Sequence, residues 1–410
     1  MSDSRLAFLR QTTPASPESE EQKTSFISCS FQHRAAGAEG EVELKFWPAR
    51  ARSGRQDGVP PKRLIVFILG NPGLLGYYPP FLNHLHSLLP DNHAILATSH
   101  IGHSTMIPPP PAPLDLPQQL ESKVELVQSI RRYLDEWASE SDSSSSSSPS
   151  QSPTQSELGE RADSNPKICL MGHSVGAWLL VEVMKRLNRT TPSSGPSLGS
   201  GKRSIHAQSV VEAGYLLFPT LGWIANTWNG WTLWPIFHRP VKPLLPLLSP
   251  LIRPILPYTS LPETSLALVR DPKVIEHVLH LSRSEMDLIR GPDIEWFKSQ
   301  NDTQADHRRS DDSSTTTGDK GLYGVWAGGS MDGWVGKDGP IVQEALGGLE
   351  GGRVKVLDGV PHAFCLTHEN SERVAQAIAA WINPSSSSTS ESKPTGQPET
   401  EPIGANVMPM

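Results

Sequence analysis

Cysteine is scarce in this chain of 410 residues, which holds three: Cys29, Cys169 and Cys365. Three thiols cannot build a disulfide framework and their spacing matches no zinc site, so a reducing compartment is the simplest setting. Long hydrophobic runs are absent too. No uninterrupted apolar stretch reaches the roughly 18 residues that a membrane-crossing helix needs, and Met1 to Lys23 is polar and charged, without the apolar core of a signal peptide. Secretion and conventional spanning are therefore not expected. Basic clusters are missing as well. The formal net charge is -7, and no segment concentrates lysine and arginine enough to neutralise a row of phosphates, which argues against nucleic acid as a partner.

What is present is a folded core diluted by polar inserts. The composition is 37% hydrophobic, consistent with one α/β domain carrying insertions. Residues 1–25 are rich in Ser, Pro and Glu and are expected to be disordered. The first part of the core is expected over 26–218. Within it, Val42, Leu44 and Phe46 alternate with charged residues as in a half-buried strand. Leu64 to Leu69 is an unbroken apolar run, the pattern of a strand buried on both faces of a parallel sheet. Tyr77 to Leu89 reads as a helix and Ala94 to Thr98 as another buried strand. Leu120, Val124, Val127, Leu134 and Trp137 then form one helical stripe. Inserts over 139–164 and 190–203 are expected to be unstructured, the first containing six consecutive serines.

The strand–helix rhythm breaks over 219–298. Four of the 11 tryptophans, Trp223, Trp228, Trp231 and Trp234, fall between positions 223 and 234. Behind them, Pro243 to Pro257 carries a proline every three or four residues, which forbids a long regular helix. A cap with an apolar outer surface is expected, its tryptophans serving either as cap core or as contacts to a lipid monolayer. Cations such as His238, Arg239, Lys242 and Arg253 would stay near headgroups. A further polar insert spans 299–319, the core resumes over 320–383, and 384–410 reads as a disordered tail.

The chemistry centres on Gly172-His173-Ser174-Val175-Gly176, placed between the apolar run Ile168 to Met171 and a helical pattern from Ala177. A G-x-S-x-G turn between strand and helix holds its serine in a strained conformation, with the hydroxyl projecting from the sheet. A serine hydroxyl is a weak nucleophile at neutral pH. It needs a histidine to take its proton and a carboxylate to orient that histidine. Asp332 and His362 each follow a predicted strand, Leu322 to Trp326 and Arg353 to Leu357, where an open sheet builds its sites. Asp338 and Asp358 are the competing acids and His368 the competing base. Backbone N–H groups of Val175 and Asn71 would form the oxyanion hole, since Pro72 has no N–H to offer. His100 and His103 are candidate pocket residues. The order serine, acid, histidine is that of an α/β-hydrolase, with a mostly parallel central sheet flanked by helices. This chemistry calls for no metal or organic cofactor.

Several of these motifs together resemble the lipid droplet-associated hydrolase family. They are Gly70-Asn71-Pro72-Gly73 with Tyr77, Tyr78 and Phe81, the loop Ser99 to His103, the Ser174 turn, Leu217 to Thr220, and Pro361-His362-Ala363-Phe364. The likeness runs from about Leu64 to Trp381, outside the serine-rich inserts. It implies a serine esterase using Ser174, Asp332 and His362, residence on lipid droplets and the cytosolic face of the endoplasmic reticulum membrane, and a part in neutral-lipid or sterol-ester turnover. Two other readings stay open: a droplet-binding scaffold without turnover, and an acyltransferase.

Overall fold

The apolar run at Leu64 becomes β4 (Arg63–Ile68), all of whose residues are buried. In the computed structural model, which describes residues 9–11, 25–50, 60–145, 165–188, 209–238, 241–252, 262–301, 320–329 and 331–383, β4 lies inside a nine-stranded sheet. The other strands are β1 (Arg10–Gln11), β2 (Ile27–His33), β3 (Gly40–Trp47), β5 (His93–Thr98), β6 (Lys167–His173), β7 (Ala213–Leu217), β8 (Gly321–Ala327) and β9 (Val354–Leu357). Their order is β1-β2-β3-β5-β4-β6-β7-β8-β9. From β5 to β9 every pairing is parallel, whereas β1, β2 and β3 join antiparallel.

Alternation along β4 assigns the two faces of the sheet. Ile65 and Phe67 point to one core, with Phe81 and Leu85 of α1 (Pro79–Leu88) and Val374 and Ile378 of the last helix (His368–Ile382). Leu64, Val66 and Ile68 point to the other, against Leu120, Val127 and Leu134 of α2 (Leu116–Ser145) and Leu180 and Met184 of α3 (Val175–Leu187). The sheet is thus covered on both faces, as parallel strands require.

The cap is made of short pieces. They are α4 (Trp228–Leu233), α5 (Leu244–Ile252), α6 (Glu263–Arg270) and α7 (Pro272–Leu288). Asp271 caps α7 by accepting from the N–H groups of Lys273 and Val274, and Pro272 opens it where its missing N–H is no loss. The segment rich in proline does form a helix, α5, but a short one. Pro246 lies in its first turn, where N–H groups have no partner in any helix. The tryptophans are not cap core: Trp228 and Trp231 are 72% and 71% exposed and Trp223 and Trp234 43% and 48%, while Leu247 on α5 is 71% exposed.

Three boundaries differ from expectation. Arg10–Gln11 pairs with Cys29 and Ser30 and buries Leu9, inside the stretch read as disordered. The helix α2 continues to Ser145, seven residues into the serine-rich insert, because propagating an existing helix fixes one residue per added bond. A further helix, 294–301, runs into the insert expected from 299, and Asn301 there accepts from Arg353. The remaining inserts, most of the first 25 residues, Arg239, Arg253 and the tail lie outside the described residues. Among the described residues no helix is long and apolar enough to cross a membrane.

One core position is costly. Lys123 on α2 is 1% exposed, and its ammonium donates to Thr98 Oγ1 and to the Ser99 carbonyl. Burial pulls its pKa down to about 7, since the charged form is poorly solvated there. Lysine in the unfolded chain titrates near 10.5, so the fold carries a penalty that is absent above that pH and complete below about 7. Lys123→Met is therefore expected to raise the melting temperature, most at pH 6 and by progressively less towards pH ~10, in paired thermal scans of variant and wild type.

Candidate active site

The Ser174 turn is set by what its glycines lack. A Cβ on Gly172 would lie 2.3 Å from the Gly176 carbonyl oxygen, and one on Gly176 would lie 2.2 Å from that of Ile68. Helix α3 thus meets β6 at Gly172 and β4 at Gly176, each at backbone distance. Ser174 takes φ 56°, ψ -122°, a conformation that L residues avoid unless held there. Its N–H donates to the Leu217 carbonyl at 3.0 Å, so β7 helps to hold it. Phe218, next along, also has a positive φ of 45°, and its ring faces those of His173, His362 and Phe364.

The ends of β8 and β9 bring the other two groups to this turn. His362 Nε2 lies 3.0 Å from Ser174 Oγ, and His362 Nδ1 lies 2.8 Å from Asp332 Oδ2. The Asp332 and His362 side chains are 6% and 14% exposed. Asp332 uses its other oxygen, Oδ1, to accept from the N–H groups of Trp334 and Val335 at 2.9 and 3.3 Å, which fixes the carboxylate before it meets the ring. The rivals are elsewhere. Asp338 opens α8 (Asp338–Ala345), Asp358 abuts Gly328 just past β9, and His368 pairs with Glu372 on the last helix, α9 (His368–Ile382).

The sequence reading missed what supports His362. His173, the second residue of the motif, has its Nε2 3.0 Å from the His362 carbonyl and its Nδ1 2.9 Å from Tyr78 Oη. A carbonyl only accepts, so Nε2 donates, and the neutral ring then accepts the tyrosine proton at Nδ1. Burial, with His362 close by, holds His173 well below the usual histidine range, which keeps that tautomer available. The motif flagged His173 only as a variable position; its partner lies 189 residues away.

The loop after β4 lies beside the serine. A Cβ on Gly70 would stand 2.9 Å from Ser174 Cβ, so only glycine permits this approach. Val175 is the first residue of α3, where an N–H has no intrahelical partner, and among the described residues neither it nor the Asn71 N–H is bonded in a turn. His100 and His103 are fully buried against the loop. His103 Nδ1 donates to the Pro72 carbonyl at 2.8 Å, and Gly73 packs against the His100 ring. The four cap tryptophans are exposed to solvent. Among the described residues no group of three or more His, Cys, Asp or Glu is placed to hold a metal ion.

A sheet of this order, with a serine turn after β6 and an acid and a histidine after β8 and β9, defines an α/β-hydrolase. A family model described as lipid-droplet associated hydrolase matches residues 61–144 and 153–365. The chain belongs to that family and is, by that membership, a hydrolase. A lipid droplet-associated hydrolase of mouse is 25% identical over 337 residues, covering 80% of this chain and 87% of the mouse protein. The human protein of the same name is 27% identical over 205 residues, 50% of each chain. Among solved structures, a bacterial membrane phospholipase A aligns with a TM-score of 0.49 at 12% identity, over 89% of this chain and 88% of its own.

Gly176→Ala tests the crossing that shapes the turn. Its methyl group would meet backbone oxygen, which has nowhere to go. A loss of about 3 kcal/mol or more is expected, read as a lowered denaturant midpoint, while Gly291→Ala, whose new Cβ meets nothing within 4 Å, should leave the midpoint nearly unchanged.

Proposed function

We propose that this protein is a serine hydrolase that cleaves carboxylic esters of neutral lipids or sterols at the surface of lipid droplets, through Ser174, His362 and Asp332. The observation that carries the reading is the continuous hydrogen-bond path from Ser174 Oγ through both nitrogens of His362 to Asp332, with legs of 3.0 and 2.8 Å. Ser174 Oγ attacks the ester carbonyl as its proton passes to His362 Nε2, and Asp332 steadies the imidazolium. The carbonyl oxygen becomes an oxyanion held by the N–H groups of Val175 and Asn71. Collapse of the tetrahedral species breaks the bond to the alcohol oxygen, which leaves with the proton from His362. Water then attacks the acyl-serine by the same route and releases the acid.

The cap supports a lipid surface as the place of action. Trp228, Trp231, Leu247 and Leu248 are exposed, and a cluster of large apolar side chains facing outward marks a contact surface. His238 and Lys242 flank them. Residence at the endoplasmic reticulum membrane belongs to the same reading, as the surface from which droplets take their monolayer.

Two measurements test this. Labelling by a fluorophosphonate should modify wild-type protein at Ser174 and fail with Ser174→Ala, and Asp332→Asn should slow it by up to about 10⁴-fold. A folded wild-type protein that resists the reagent would leave the scaffold reading instead. For the surface, the double variant Trp228→Ser, Trp231→Ser should lose binding to triacylglycerol droplets coated with phospholipid, by about tenfold or more for two buried aromatic side chains. Flotation at the wild-type fraction would place the contact elsewhere.

A further inference from the structure

The side chain of Asn71 joins two distant parts of the molecule. Its Nδ2 stands 2.8 Å from Ser282 Oγ, 2.8 Å from Glu285 Oε1 and 3.3 Å from the Val278 carbonyl, all on α7 of the cap. A carboxamide has two N–H groups, and the two short contacts take them. Ser282 donates its own proton to the Val278 carbonyl at 2.9 Å, so it meets Asn71 as an acceptor. Glu285 is 8% exposed, a buried carboxyl for which the ester chemistry has no use.

The rest of the loop is held independently. Gly70 presses on Ser174, the Pro72 carbonyl accepts from His103, and Gly73 rests on His100. What remains adjustable is the Asn71 peptide unit between them, whose N–H is the proposed oxyanion donor. We propose that Glu285 is a positioning residue: with Ser282 it grips the Asn71 side chain and thereby sets the Asn71 N–H towards the carbonyl oxygen attacked by Ser174, tying the cap helix to the oxyanion hole. This rests on the nucleophile reading above.

The grip has a sign. Burial pushes the Glu285 carboxyl up to about 8, against a smaller opposing pull from the Asn71 amide. At neutral pH it is therefore an uncharged acceptor. The elements packed against α7 carry Lys123 on α2, His238 ahead of α5 and Arg270 ending α6, α7 itself carries His277, and the loop after β5 carries His100 and His103. Burial holds His100, His103 and His277 below the usual histidine range. Above about pH 8 Glu285 gains a negative charge one side chain away from a site that must itself develop negative charge, and like charges in a buried setting oppose each other.

The rate of fluorophosphonate labelling of Ser174, measured on the full chain between about pH 6 and pH 10, reads this directly. Wild type should fall off above about pH 8. Glu285→Gln keeps an amide oxygen to accept from Asn71 and cannot ionise, so it should label within about twofold of wild type at pH 7 and lack the alkaline fall. Glu285→Leu should label at least tenfold more slowly at every pH, in line with the roughly 10²-fold cost of losing an oxyanion donor, with its circular dichroism unchanged. The inference is overturned if Glu285→Gln shows the same alkaline fall as wild type, or if folded Glu285→Leu labels at the wild-type rate. Should Glu285→Leu not fold, the Glu285→Gln profile decides alone. A folded wild-type chain that takes no label at any pH overturns the nucleophile reading itself, and this inference with it.

Discussion

Everything at the site depends on how sharply the backbone reverses at Ser174. The turn exists because two positions have no side chain: Gly172 lets β6 pass α3 and Gly176 lets α3 pass β4 at backbone contact, and Ser174 is left at φ 56° with its N–H tied to β7. A strained residue persists only where its surroundings over-determine it, and here sheet, helix and the Gly70 loop all bear on it. Because β4 to β9 run parallel, their carboxyl ends share one edge of the sheet. The hydroxyl, Asp332 and His362 arrive at that edge from three strands without any long excursion of the chain.

Features carried by local pattern were legible in the sequence. Apolar runs marked the buried strands, glycine spacing marked the turn, and positions after β8 and β9 marked Asp332 and His362, whose geometry separates them from Asp338, Asp358 and His368. Features that need a distant partner were not legible. The donation from His173 to the His362 carbonyl spans 189 residues and that from Asn71 to Glu285 spans 214; nothing within either local pattern specifies the other end. The pair Arg10–Gln11 is stabilised by β2 rather than by its own composition. The tryptophans stayed open for another reason: with period and length broken by proline, the sequence has no face to assign, and only the packed cap shows which side meets solvent.

The cap contrasts with the sheet in what it leaves outside. Its inner helix α7 buries Val274, Leu279, Leu281 and Met286, as an ordinary amphipathic helix does. Its outer elements instead expose Trp228, Trp231 and Leu247, with the two indoles 6.5 Å apart between centroids. Scattered exposed apolar residues need no explanation, but adjacent large ones on short helices do. Asn71 is one place where this outward-looking layer touches the sheet's carboxyl edge through hydrogen bonds rather than apolar packing. Hydrogen bonds depend steeply on distance and angle, so the contact fixes a position and not merely a proximity.

The charge state of the surrounding histidines follows from the same burial. His100, His103 and His173 are all held neutral, each chiefly by desolvation. That matters most for His173, whose ring centroid is 5.1 Å from that of His362. In the proposed attack on an ester His362 becomes a cation, and a second imidazolium at that distance would oppose it. Kept neutral, His173 instead offers an N–H to the His362 backbone and leaves the developing charge to Asp332 alone. The apolar packing of Phe218 and Phe364 around these rings therefore contributes more than shape: by excluding water it keeps His173 a neutral donor, so that the ring able to take the serine proton has one counter-charge and no competitor.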